Sequence, residues 1–209
     1  MNPPANSRRE FLRLLLAAAG ACLLTPRDLL AGSRLRQTQP KPALHPQVAR
    51  VVAASRRLKI PRNRWTLIVG HHSAIERGNA VIYGRAHLAR GMVRGLAYHF
   101  VIGNGLDSGD GEIEIGPRWL NQQDGGHVKN EAVNATGIGI CVVGNCENHP
   151  PTPKQLASFE ALVRWLATSR LPNRPRLIFH EEIPHENTLC PGRCFSRANL
   201  RTRLGRAVG

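Results

Sequence analysis

Residues 135–145 read ATGIGICVVGN, a near-continuous apolar run that closes on Gly144 and Asn145. A short run of Ile, Val and Cys bounded by turn residues reads as a strand buried on both faces. Such a strand belongs in the middle of a sheet whose two sides are covered by helices. Working outward, residues 152–170 (TPKQLASFEALVRWLATSR) predict one of those helices. Thr152 stands at the N-cap and Pro153 in the first helical position. Leu156, Phe159, Leu162, Val163 and Leu166 then recur at helical spacing.

Four more stretches read as strands: RWTLIVGHHS (64–73), LAYHFVIGNG (96–105, closed by an Asn-Gly turn), GEIEIGPRW (111–119) and RPRLIFH (174–180). Residues 46–58 predict a short helix with Pro46 in its first turn. Residues 78–91 read as a helix or a loop, and a short basic helix is expected after Phe195. The order predicts an α/β fold with a central mixed sheet flanked by helices.

The chain has 209 residues and a formal net charge of +15, enough length for one core-bearing domain with appendages. The domain stays basic when residues 1–36 are set aside. Basicity draws polyanions: nucleic acid, anionic lipid or an acidic wall polymer. No paired zinc-finger ligands, helix-turn-helix pattern or aromatic stacking platform supports nucleic acid. The five cysteines do not suggest a disulfide scaffold. Cys141 and Cys146 would lie roughly 16 Å apart along an extended strand, too far to bridge.

Residues 6–24, NSRREFLRLLLAAAGACLL, carry a charged start and a short apolar run. The run is too short for a comfortable membrane span and suits an export signal. Ser7-Arg8-Arg9-Glu10-Phe11-Leu12 resembles a twin-arginine signal, a route that moves folded proteins. Residues 1–43 are therefore expected to be leader and linker, and 44–209 the functional domain. Cys22 is either an apolar leader residue or a lipidation point. Membrane contact is expected only through the leader or such a lipid.

Residues 179–192, FHEEIPHENTLCPG, concentrate two histidines, three glutamates and a cysteine between prolines. His180 ends one expected strand, His71 lies just past the end of another, TLIVG, and Cys190 follows in the loop. Two imidazoles and a thiolate with one open position make a catalytic zinc donor set, in which the ion acidifies water and polarises a carbonyl. Spacing alone leaves His72, His99, His127 and His185 in competition. His71 and His72 point to opposite faces of a strand, so only one of them can reach a given ion.

IVGHHSA, LAYHFVIGNG, GGHVKN, TGIGICVVGN and FHEEIPHENTLCPG, in this order, resemble the motifs of the type-2 N-acetylmuramoyl-L-alanine amidases. Those zinc enzymes share their fold with the peptidoglycan recognition proteins. The resemblance spans about Trp65 to Phe195. It implies zinc held by His71, His180 and Cys190, a catalytic role for Tyr98, and a possible oxyanion donor in Thr188, where the family carries Lys or Thr. His99 and His127 are then expected to support the fold or the ligands. It also implies hydrolysis of the amide between N-acetylmuramic acid and L-alanine in peptidoglycan. With the export signal, the expected enzyme is a monomer of the periplasm or cell envelope. The cytoplasmic recycling members carry Glu after the Ile-Gly-Ile triplet. Cys141 stands there instead, which points to an exported enzyme. The alternative expectation is a non-catalytic peptidoglycan-binding protein, which in this fold goes with loss of the cysteine ligand.

Overall fold

The computed structural model describes residues 43–209. The twin-arginine motif, Cys22 and nearly all of the expected linker lie outside the described residues. The order of elements is α1 (Pro46–Ser55), β1 (Leu67–His72), α2 (Ala80–Ala89), β2 (Phe100–Ile102), β3 (Ile113–Ile115), α3 (Pro117–Leu120), α4 (Glu131–Thr136), β4 (Gly137–Val142), α5 (Pro153–Trp165), β5 (Arg176–Phe179) and α6 (Arg197–Leu204). The five strands form one mixed sheet in the order β3-β2-β4-β1-β5. β3 runs antiparallel to β2, and the other pairs are parallel.

β4 is central and fully buried, as its composition demands. Alternate residues serve two different layers. Ile138, Ile140 and Val142 join the main core with Phe159, Leu162 and Val163 of α5, Val48 and Val51 of α1, and Leu200 and Leu204 of α6. Cys141 instead joins a smaller cluster with Tyr83 of α2, Leu96, Val101 and Val143. One face of the sheet therefore carries the bulk of the hydrophobic core. The other carries α2 and the polar residues described below.

The helix over 152–170 forms with a full capping box. Thr152 Oγ1 accepts from Gln155 N at 3.0 Å, and Gln155 Oε1 accepts from Thr152 N at 3.0 Å. Its last turn, Leu166–Arg170, widens to a π-helix. Residues 78–91 resolve as a helix, α2, whose cap Asn79 accepts from Ile82 N through Oδ1 at 2.8 Å.

Three expected strands are shorter than read. In GEIEIGPRW only Ile113–Ile115 is strand, and Pro117 opens α3. In LAYHFVIGNG only Phe100–Ile102 is strand. His99 N still donates to Gly139 O at 2.9 Å, but Tyr98 leaves the sheet towards the polar face. The link from β2 to β3 is a ten-residue loop rather than a tight Asn-Gly turn, with Gly105 N donating to Ser108 O near its tip. In RPRLIFH the strand stops at Phe179, and His180 opens a 3-10 turn, His180–Glu182. His71 lies within β1 rather than beyond it.

Candidate metal centre

β1 and β5 are parallel neighbours, with Gly70 opposite Phe179. Their ends therefore bring His71 and His180 to one place, with ring centroids 4.8 Å apart. Cys190 returns to the same point. Its Sγ lies 3.6 Å from His71 Nδ1 and accepts from His72 N at 3.4 Å. One donor atom from each of His71, His180 and Cys190 falls within 4.8 Å of the others. His71 and Cys190 are buried and His180 is partly so.

The hydrogen-bond partners fix which nitrogen each histidine offers. His127 Nε2 lies 3.3 Å from Gly137 O, which can only accept, so Nε2 carries the proton. His127 Nδ1 is then an acceptor, and it lies 3.0 Å from His71 Nε2. His71 Nε2–H therefore donates to His127, leaving Nδ1 bare and aimed towards Cys190. In the same way His180 Nε2–H donates to Glu186 Oε2 at 3.2 Å, leaving its own Nδ1 bare. Glu186 is itself held through Oε1, which accepts from Lys129 N at 2.6 Å and Asn130 N at 2.8 Å. Burial alone would raise its carboxyl. The hydrogen bonds from Asn130, His180 and Lys129 outweigh that and hold it below the usual carboxylate range.

The sequence around β4 explains how a ring fits against the sheet here. A Cβ on Gly139 would meet His127 Cδ2 at 2.3 Å. The glycine leaves the space that the imidazole occupies. Asn134 Oδ1 accepts from His127 N at 3.0 Å and anchors the loop that carries it.

Burial, then the neighbouring His127, His180 and His72, hold His71 well below the usual imidazole range. Burial pushes the Cys190 thiol up to about 12. Neutral imidazoles are the form that donates to a cation. A thiol so disfavoured as an anion needs a positive charge beside it to ionise. The donor set, two bare imidazole nitrogens and one sulfur with carboxylate and histidine support behind them, fits Zn²⁺.

Tyr98 lies over this group, its ring centroid 5.4 Å from that of His71 and 5.9 Å from that of His87. Its hydroxyl neighbours the Cys141 thiol, and burial, then Cys141 and Cys190, raise it well above the usual phenol range. Thr188 Oγ1 accepts from Cys190 N at 3.1 Å, which orients the backbone of the cysteine. His185 is exposed and outside the group. His72 faces the other way and accepts from Cys146 N at 3.0 Å. Glu181 pairs with Arg197 at 2.7 Å and Glu182 with Arg201 at 2.6 Å, so both brace α6. Sequence reasoning missed Glu186. Its only signal was a carboxylate six residues beyond His180.

A family model described as N-acetylmuramoyl-L-alanine amidase matches residues 61–193, most of the described domain and every residue of the cluster. The chain belongs to this amidase family. Among solved structures it resembles the endolysin N-acetylmuramoyl-L-alanine amidase LysCS from Clostridium intestinale URNW, at 29% identity and a TM-score of 0.59. That match covers 70% of this chain and 86% of the endolysin. It shares its fold with human PGRP-IβC, solved with a glycosamyl muramyl pentapeptide, at 18% identity and a TM-score of 0.54, over 71% of this chain and 90% of that one. No match was found among curated protein sequences. Among the described residues no helix is long and apolar enough to cross a membrane.

Proposed function

We propose that this amidase is a zinc-dependent N-acetylmuramoyl-L-alanine amidase, exported to the periplasm or cell envelope. It hydrolyses the amide between the lactyl group of N-acetylmuramic acid and L-alanine of the stem peptide. The observation that carries the reading is the convergence of His71, His180 and Cys190 within 4.8 Å. His71 Nδ1, His180 Nδ1 and Cys190 Sγ would hold the ion. Zinc, when bound, supplies a Lewis acid that acidifies water and polarises the scissile carbonyl.

The chain's own groups do the rest. His127 and Glu186 keep both imidazoles in the tautomer that presents Nδ1. Tyr98, kept protonated by burial, is a hydrogen-bond donor at any physiological pH. Its hydroxyl is the group to stabilise negative charge on the carbonyl oxygen as the tetrahedral species forms. Thr188 accepts from Cys190 N through a lone pair, so its own proton is free to donate to the same oxygen.

The test is digestion of purified sacculi, read by mass spectrometry. Stem peptides with a free L-alanine amine should appear, vanish with chelator and return with Zn²⁺. His71→Ala should abolish their release. Sacculus binding without bound metal or cleavage would favour a recognition protein instead.

A further inference from the structure

The segment that carries Cys190 is tied to the chain beyond β4 at a second place, which holds two cysteines the site does not use. Cys194 N donates to Cys146 O at 2.8 Å. With standard backbone dimensions that bond keeps the two Cα atoms within about 6.7 Å. Bridged cysteines have Cα atoms roughly 4.4–6.8 Å apart. The backbones fit tightly here. A Cβ on Gly192, whose φ is +95°, would meet the carbonyl carbon of Cys146 at 2.4 Å. Arg193 N donates to Glu147 Oε1 at 3.0 Å, and Cys194 Sγ lies 3.6 Å from Glu147 O.

The other two described cysteines are committed elsewhere. Cys190 Sγ faces His71 Nδ1 and His72 N. Cys141 is fully buried beside Tyr98. All four are free thiols in this structure.

We propose that Cys146 and Cys194 are a disulfide-forming pair that closes when the folded chain meets oxidising surroundings, clamping the Cys190 segment onto the end of β4. Cys194 is the more exposed sulfur and meets the oxidant first. With a small-molecule disulfide such as oxidised glutathione, the Cys194 thiolate attacks one sulfur and expels one glutathione thiolate. The Cys146 thiolate then attacks the mixed disulfide at Cys194 and expels the second. Two protein thiols lose two protons and two electrons, and one oxidised glutathione becomes two reduced molecules. Cys190 keeps its sulfur for the site.

The full-length chain is held in a glutathione redox buffer, alkylated, digested and mapped by mass spectrometry, with thermal unfolding measured in parallel. The expected result is a cross-linked peptide joining Cys146 to Cys194, with Cys190 and Cys141 still alkylated. The oxidised form should melt higher by on the order of 5–10 °C. Cys194→Ser should remove both the cross-link and the shift. Full alkylation of Cys146 and Cys194, a cross-link that uses Cys190 or Cys141, or a cross-link with no change in melting would each overturn the proposal. None of these readouts depends on metal or on hydrolysis.

Discussion

A carboxylate that never touches an ion can decide how firmly the ion is held. Glu186 accepts from His180 Nε2 and from two backbone N–H groups of the segment leading into α4, so it ties the His180 loop to the other wall of the site. Glu186→Gln keeps the shape and removes the charge. Zinc affinity should fall roughly 10- to 100-fold, as is usual for such supporting partners. Competition with a chromophoric chelator measures it, and an unchanged affinity would remove Glu186 from this role. Glu186 was not legible in the sequence, and the reason is physical. Three glutamates stand in the same short segment. Only the folded path decides that Glu181 and Glu182 turn to the arginines of α6 while Glu186 turns inward. His71, His180 and Cys190 were legible because their neighbours carry family motifs, not because of their spacing.

At the scale of elements, β4 works as a spacer as much as a strand. Gly139→Ala would push a methyl group into the His127 ring. It should cost about 1–3 kcal/mol in urea unfolding, as overpacking does. It should also depress sacculus digestion disproportionately, because the bond from His71 to His127 is what moves. Equal loss in both assays would argue for a packing role alone. On the opposite face, Thr152→Ala removes the oxygen of the capping box that starts α5. It should lower stability by about 1 kcal/mol while leaving digestion rates near wild type. Helix α5 was legible because its cap, its proline and its apolar spacing all agree. The limits of β2 and β5 were not. Apolar composition continues through Leu96 and Ala97, but Tyr98 and His180 leave the ladder to reach the polar face.

For the whole molecule, three buried imidazoles set an acid limit. Burial first, then neighbouring histidines, lowers His71 strongly, His127 to about 4 and His99 to about 3. Their unfolded values lie near 6.5. Between the two the unfolded chain binds more protons, so stability rises with pH there. In the metal-free protein it should be full above about pH 6.5 and fall steadily as the pH drops towards 4. Urea midpoints at pH 7, 5.5 and 4.5 in the presence of chelator test this. A flat profile would mean that these rings are not held neutral.

The two-sided character of β4 also bears on how such a chain can vary through descent. Neighbouring positions along it answer to different masters, Ile140 to the main core and Cys141 to the smaller apolar cluster beneath α2. Inserting or deleting one residue in this strand would turn over every side chain beyond it, moving core-facing isoleucines to the face that carries His127 and Cys141 to the main core. This short ribbon can change its letters but never its count.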